Sequence, residues 1–216
     1  MDSYCVPTGT GTAELVVKGS RFIGTVGPAS SIEAAQQLVE DLRQRYPDAT
    51  HHAWAYRLPG DPQETIGSSD DGEPGGTAGR PMLAVLTGEA LFEAVVVGTR
   101  YFGGTKLGTG GLVRAYGAAA RAAIEAAPIG EKRLHRLVAL HVDYALLGPL
   151  RYEIDRHGAE IINAAYAADV RLEMAVPAAT FGALATAASN LSSGGIVLEE
   201  QVVATQYLLR SSGSSR

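Results

Sequence analysis

The chain has 216 residues and a formal net charge of −5, and its 46% hydrophobic and 19% charged content is that of an ordinary globular protein. Cys5 is the single cysteine, which excludes an intrachain disulfide framework and favours a cytoplasmic protein. No apolar run reaches the roughly 18 residues of a membrane span, so we expect no membrane partner. The negative total argues against nucleic acid bound over the whole surface, although a local basic patch can still bind RNA.

Strands and helices alternate in residues 1–128, which we predict to form the first domain. Strand-forming residues on both sides of Gly19-Ser20 predict a hairpin over 14–18 and 21–26. Ser30 and Glu33 match a capping box, which predicts a helix that ends at Pro47. Further patterns predict strands over 52–58, 65–67 and 93–100, a short helix over 78–86 and an alanine-rich helix over 109–127.

A second domain is predicted over residues 129–210, because Pro128 and Gly130 are incompatible with continuation of the preceding helix. Its hydrophobic patterns predict a strand over 134–143, a helix over 146–157, strands over 160–166 and 170–176, a helix over 177–190 and a strand over 196–208. The order βαββαβ is the ferredoxin-like pattern. Residues 211–216 are predicted to form a flexible tail.

Residues 70–117 combine glycine with positive charge, and they hold 12 of the chain's 26 glycines. No acidic residue lies between Glu93 and Glu125. Arg100, Lys106, Arg114 and Arg121 therefore form a basic island. The island follows a strand and leads through a glycine-rich loop into the start of a helix, where free amides and the helix dipole favour an anion. This context favours phosphate binding, with structural turns beside a solvated basic face as the alternative.

Three carboxylates, of Asp70, Asp71 and Glu73, lie in the same glycine-rich segment. Oxygen ligands of this kind suit Mg²⁺ when a phosphate supplies others, but an Asp-Gly turn explains them equally well. His51 and His52 begin a predicted strand and point to opposite faces, so they are not expected to share a metal. One of them is expected to be buried and hydrogen bonded. No metal site is therefore assigned.

Familiar catalytic motifs are absent: the chain has no GxxxxGK[ST], HExxH, CxxC or GxSxG. An enzyme is therefore the less favoured interpretation. Aromatic side chains flank the basic island at Tyr101, Phe102 and Tyr116, and base stacking beside phosphate contacts would use such residues. Core packing is the alternative for them, and we expect it for at least one.

Four segments together resemble the signature blocks of the YigZ/Impact family: SRFIG (20–24), ATHHAWAYRL (49–58), DDGEPGGTAGRPML (70–83) and TRYFGGTKLGTGGLVRAYG (99–117). The match covers residues 1–128, and the remainder resembles the smaller C-terminal domain of bacterial members. Ala53 follows the two histidines where family members often have cysteine, which argues against thiol or zinc chemistry there.

The resemblance implies an α+β fold. The N-terminal domain would be a two-layer α/β domain similar to domain IV of elongation factor G and to a small-subunit ribosomal protein, and the C-terminal ferredoxin-like domain would be similar to domain V of that factor. Eukaryotic members act in translational control by binding a regulator of the amino-acid-starvation kinase. Such analogy between folds raises the expectation of a ribosome or RNA partner without deciding it.

We therefore expect a non-enzymatic regulator of translation that associates with RNA or the ribosome. The residues expected to contact phosphate are Arg100, Gly103, Gly104, Lys106, Thr109, Gly110, Arg114 and Arg121. One alternative is a small-molecule phosphate or nucleotide-binding enzyme in which Asp70, Asp71 or Glu73 holds Mg²⁺. The other is a protein-interaction module that uses the same surface for a protein partner.

Overall fold

A computed structural model describes residues 2–60 and 63–210, and it confirms the predicted α+β class. Contacts divide the described chain into two compact units, one over Tyr4–Glu131 and one over Lys132–Arg210 together with residues 2–3. The predicted tail over residues 211–216 lies outside the described residues. No helix within the described ranges is both long and apolar enough to cross a membrane.

The first unit contains a five-stranded antiparallel sheet with the order β2-β3-β6-β4-β5. Its elements are β1 (Ser3–Pro7), β2 (Gly11–Val17), β3 (Ser20–Pro28), α1 (Ile32–Arg45), β4 (His51–Leu58), β5 (Thr65–Ser69), α2 (Gly79–Gly88), β6 (Ala94–Tyr101) and α3 (Thr109–Glu125). The hairpin of β2 and β3 was predicted from the sequence, whereas β1 was not. The cap of α1 differs by one residue from the prediction, because Ser31 rather than Ser30 accepts the hydrogen bond from the Ala34 amide at 3.2 Å.

Helices cover both faces of this sheet, so the unit has three layers, whereas the family resemblance implied two. The cause is the central strand β6, whose residues are buried on both sides. Val95 and Val97 pack in the cluster that includes α1, and Val96 packs in the cluster that includes α2 and α3. A strand buried on both faces reads as a continuous apolar run, and the run of three valines is such a sequence.

Helix α3 lies very close to the sheet because small residues meet at the contact. A Cβ atom added at Gly24 of β3 would lie 2.1 Å from the carbonyl oxygen of Ala119. At Gly11 of β2, an added Cβ would lie 2.3 Å from the carbonyl oxygen of Ala123. Only glycine on the strands and alanine on the helix allow this separation, which explains the alanine-rich pattern.

The second unit follows the predicted order βαββαβ, with β7 (Ile129–Val142), α4 (Tyr144–Arg156), β8 (Glu160–Tyr166), β9 (Val170–Pro177), α5 (Phe181–Leu191) and β10 (Glu199–Arg210). Strand β9 pairs with both β7 and β8 in antiparallel register, and β10 pairs with β7. Every second side chain of β9, such as Leu172 and Met174, lies in the core of this unit.

The largest differences between the predicted and observed bounds in the second unit are at the starts of β7 and α5. Strand β7 begins at Ile129, five residues before the predicted start at residue 134. Helix α5 begins at Phe181, because Pro177 ends strand β9 instead of opening the helix.

The contact between β3 and α3 gives a prediction about stability. The substitution Gly24→Ala should lower the free energy of unfolding by about 3 kcal/mol, because its methyl group meets backbone that cannot move away. The matched control is Gly117→Ala in α3, where an added Cβ meets nothing within 4 Å. This control should stabilise the protein by about 0.5–1 kcal/mol, since alanine is the better helix former. Urea unfolding followed by Trp54 fluorescence measures both; equal midpoints for Gly24→Ala and wild type would contradict the packing described.

Candidate nucleic-acid interface

Exposed cationic side chains gather on the surface formed by the turn between β2 and β3, the helices α2 and α3, and the loop before α3. We call this surface the basic face, and its members are Lys18, Arg80, Lys106, Arg114 and Arg121. Residues 74–88 and 94–124, which include α2 and all of α3 except its last residue, Glu125, contain no acidic residue. Among the described residues, none of the five takes part in an ion pair. Their charge is therefore available to an external anion.

Two hollows meet at Arg114 on the basic face. A groove of ≈ 430 Å³ between α2 and α3 is lined by Arg114, Arg121, Pro81 and Gly117, among others. A smaller hollow of ≈ 270 Å³ brings Lys18 beside Arg114. Because Gly117 has no side chain and nothing lies within 4 Å of its missing Cβ, the groove is open at that point. Arg114 and Arg121 are about 10 Å apart along the helix axis, which is enough to contact separate phosphates.

The start of α3 is the second feature of the basic face. The cap residue Gly108 has φ +72, and no side chain accepts a hydrogen bond from the first amides. No acidic residue lies in the first turn. A Cβ added at Gly110 would lie 3.5 Å from Nη1 of Arg114, so the guanidinium group lies over the first turn. Uncapped amides beside a cation are a favourable setting for an anion.

Arg100 does not belong to the basic face, which corrects the expectation that it contacts phosphate. Its side chain points into the core, where Nη1 donates to Oε1 of Glu73 at 2.6 Å and Nη2 donates to Ser20 at 3.3 Å. Tyr116 donates to the same Glu73 oxygen at 2.7 Å. Burial, and then this hydrogen bond, raise the pKa of the Tyr116 hydroxyl, so it stays protonated and remains a donor. We call Glu73, Arg100 and Tyr116 the buried triad.

Asp70 organises the loop that leads into α2. One carboxylate oxygen accepts from the Gly76 amide at 2.6 Å, and the other accepts from the amides of Ala78 and Gly79, both at 2.9 Å. Burial raises the pKa of Asp70, but these three hydrogen bonds and the charge of Arg80 together lower it by more. The pKa therefore lies below its usual value. The carboxylate is thus occupied by the start of the helix.

Asp71 holds the loop against β4 and α1. Its carboxylate accepts from the His52 amide at 2.6 Å and from Arg43 at 2.9 Å, and its carbonyl oxygen accepts from Nδ1 of His51 at 2.7 Å. All three carboxylates that the enzyme alternative offers to Mg²⁺ are therefore engaged by protein groups. No group of three or more possible metal ligands occurs among residues 2–60 and 63–210.

The two histidines point to opposite faces of the sheet, as predicted. His52 is buried, and its ring nitrogens contact Thr99 at 3.1 Å and the carbonyl oxygen of Tyr46 at 3.2 Å. Burial lowers the pKa of His52, so its ring is neutral at pH 7. His51 lies on the other face, with Nε2 3.9 Å from Oε2 of Glu73.

The remaining predicted residues divide between internal contacts and the surface. Gly103 packs against the chain itself, since an added Cβ would lie 1.9 Å from the carbonyl carbon of Gly19. Its amide donates to Ser20 at 3.1 Å. Gly104, Lys106, Thr109 and Gly110 are exposed in the loop and at the start of α3.

Of the three aromatic residues, Tyr116 is core, as expected for at least one of them. Tyr101 donates to Asp48 at 2.9 Å. Phe102 is the most exposed of the three, at 49%, and the guanidinium group of Arg100 lies 5.4 Å from the centre of its ring.

Comparison with known proteins agrees with this architecture. The model of the Impact N-terminal domain matches residues 18–124, and that of a domain of unknown function, DUF1949, matches residues 140–194. The IMPACT family member YigZ of Escherichia coli K12 is 38% identical over 200 residues, which cover 92% of this chain and 98% of that protein. The chain belongs to the IMPACT family.

Two solved structures extend the comparison for this IMPACT family chain. The crystal structure of a hypothetical protein is 37% identical, covers 92% of this chain and 97% of its own, and superimposes with a TM-score of 0.61. The two-domain translational regulator Yih1 aligns with 56% of this chain and 48% of its own at 25% identity, with a TM-score of only 0.39.

Sequence reasoning did not find two members of the basic face. Lys18 belongs to a hairpin turn 88 residues before Lys106, and Arg80 follows the glycine-rich loop. Arg80 has no basic neighbour in the sequence, and Lys18 has only Arg21, which is paired with Glu14. The signal that could have found Arg80 is the acid-free stretch 74–88, whereas Lys18 joins the face only through tertiary packing beside α3.

The capping role of Asp70 predicts a pH-dependent effect. Asp70→Asn should lower stability at pH 7 by about 2 kcal/mol, because an amide group cannot accept all three hydrogen bonds. The folded pKa of Asp70 lies below its unfolded value of about 3.9. Its contribution is therefore complete above about pH 4 and is lost as the pH falls through the folded pKa. Urea unfolding from pH 7 to pH 3 measures this. The difference in free energy of unfolding between Asp70→Asn and wild type should shrink only near pH 3. A difference that is the same at every pH would refute the capping role of Asp70.

The buried triad gives a second prediction. Glu73→Gln leaves the buried Arg100 without a counter-charge and should destabilise the protein by about 3 kcal/mol or more. Tyr116→Phe removes one hydrogen bond while the ion pair stays intact, so it should cost only about 1 kcal/mol. Chemical denaturation compares the two variants. A smaller loss for Glu73→Gln than for Tyr116→Phe would show that the ion pair is not what holds these elements together.

Proposed function

We propose that this protein is a non-enzymatic regulator of translation that binds the phosphate backbone of ribosomal or transfer RNA through the basic face. The observation that carries the proposal is the set of five exposed cations, none of them in an ion pair within the described residues, on a surface whose segments 74–88 and 94–124 contain no acidic residue. Phosphate contacts supply most of the affinity of such surfaces and release counterions. A concentrated local charge can bind RNA even though the whole chain is acidic.

The arrangement around Arg114 suits a nucleic-acid backbone better than a single small anion. Arg114 lies over the open first turn of α3 and is shared by two hollows, so one phosphate can be held there by the guanidinium group and backbone amides together. Arg121 and Lys18 lie on either side of it. A row of cations along a groove follows a polymer backbone, whereas a nucleotide would need its ligands to converge on one point.

The exposed ring of Phe102 adds a stacking surface near the same loop. Aromatic stacking on bases is tolerant of sequence, which agrees with a surface that reads backbone and shape. The translational role itself comes from the family, whose eukaryotic members act in translational control. The nucleotide-enzyme alternative is weaker because Asp70, Asp71 and Glu73 are held by protein groups and not presented to a bound phosphate.

Binding to ribosomes and to transfer RNA at several salt concentrations tests the proposal. Arg114→Glu should weaken binding about tenfold at roughly 0.1 M salt and reduce the slope of log K against log salt by about 1, because one phosphate contact is lost. The matched control is Arg45→Glu, which makes the same charge change on the exposed side of α1, across the sheet. Its salt slope should equal that of the wild type.

Two results would overturn the proposal. Equal weakening by Arg114→Glu and Arg45→Glu would mean that only total charge matters. Absence of saturable binding by the wild-type protein, with folding intact, would transfer the function to a protein partner or a small phosphorylated ligand.

A further inference from the structure

A second surface lies on the other face of the first sheet. Only α1 packs on that face, and it leaves beside itself a groove of ≈ 680 Å³ toward β4 and β5. Ligand pockets commonly have volumes of about 300–1,000 Å³. We call this space the α1 groove. Its lining combines aromatic rings with polar helix side chains: Trp54, Tyr56, Glu33, Gln36, Glu40 and Arg43.

Two aromatic rings form one wall of the α1 groove. Trp54 and Tyr56 lie two residues apart on the same face of β4. Their rings stack with centroids 5.7 Å apart and an interplanar angle of 7°. Tyr56 is fixed because it lies over Gly67 of β5, where an added Cβ would be 2.4 Å from its Cζ. Trp54 is only half-buried. A rigid aromatic wall that is partly open to solvent can receive a cation over its face.

The charge of the groove favours a positive ligand. Arg43 is paired with Asp71 at 2.9 Å and is more distant from Glu40, at 4.0 Å. Asp71 therefore balances most of the Arg43 charge, and the groove wall formed by α1 carries two carboxylates, of Glu33 and Glu40, against this one cation. A hydrogen bond from its own backbone and then one from Ser31 lower the pKa of Glu33, so it stays ionised. The two carboxylates are seven residues apart, about 10 Å along the helix.

The neighbouring strand supplies a place for a peptide backbone. Strand β5 is at the end of the sheet order and, within the described residues, pairs only with β4. Its sequence TIGSS contains no charge and no proline, which are the usual protections of an edge strand. An extended peptide can add to such an edge through main-chain hydrogen bonds. Ser69, the last residue of β5, lines the α1 groove.

We propose that the α1 groove binds an extended peptide segment of a partner protein and receives an arginine or lysine side chain over Trp54, between Glu33 and Glu40. This site is separate from the basic face and does not depend on RNA binding. The cation is attracted by the face of the aromatic ring and by the carboxylates. Backbone pairing along β5 orients the segment.

Trp54 is the chain's single tryptophan, so its fluorescence reports on this groove alone. The probe is an acetylated and amidated tri-arginine peptide, titrated into the full chain. We expect a saturable change in Trp54 emission, which tri-glutamine should not produce. Acetyl-arginine amide should bind several times more weakly than the tripeptide, because it lacks the backbone that pairs with β5. Equal affinity for the two would contradict an extended segment.

Charge variants complete the test. Glu40→Gln should weaken tri-arginine about threefold to fivefold, which is the size of effect expected when an exposed carboxylate loses its ion pair with the peptide. The control Glu125→Gln removes the same charge from the exposed end of α3 and should leave the affinity unchanged. Equal effects of the two variants would overturn the proposal, as would an absence of any change in Trp54 emission with tri-arginine at millimolar concentration. Both positions are exposed, so neither variant is expected to unfold the protein.

Discussion

A single buried carboxylate holds together the parts of the first unit that carry its surfaces. Oε1 of Glu73 accepts hydrogen bonds from both Arg100 and Tyr116, and so joins the glycine-rich loop before α2 to strand β6 and to helix α3. An isolated charge in the core would be very costly, so the carboxylate and the guanidinium group must stay together. The helices of the basic face therefore keep a fixed relation to the sheet beneath them.

The three carboxylates of the loop have three separate structural roles, whereas the sequence also allowed a shared role in holding Mg²⁺. Asp70 satisfies the first amides of α2, Asp71 fixes the loop to β4 and α1, and Glu73 neutralises Arg100. Each is matched to a donor that would otherwise be buried without a partner. This accounts for a run of acids beside a basic island without a metal, and it leaves the exposed cations of α3 unopposed.

The order of elements could be predicted from the sequence because periodicity and turn residues are local signals. The βαββαβ order of the second unit and the start of α3 at Thr109 were predicted in this way. The orientation of Arg100 could have been found as well. One face of β6 carries every second residue of the strand, namely Ala94, Val96, Gly98 and Arg100. That face lies under α2 and α3. What no local pattern supplies is the partner, because Glu73 lies 27 residues away along the chain. The same limit hid Lys18, which joins the basic face only through packing.

Strand β4 shows how one element can serve two separate surfaces. Ala53 and Ala55 pack beneath the helices of the basic face, whereas Trp54 and Tyr56, on the other side of the strand, form the wall of the α1 groove. The period of two along a strand makes the two sets independent, since a change of side chain on one face leaves the other face in place. The surfaces also differ in charge, with unpaired cations on one side of the sheet and two carboxylates beside aromatic rings on the other. A polyanion and a cationic peptide would therefore bind opposite faces without competing, and each would be repelled from the site of the other.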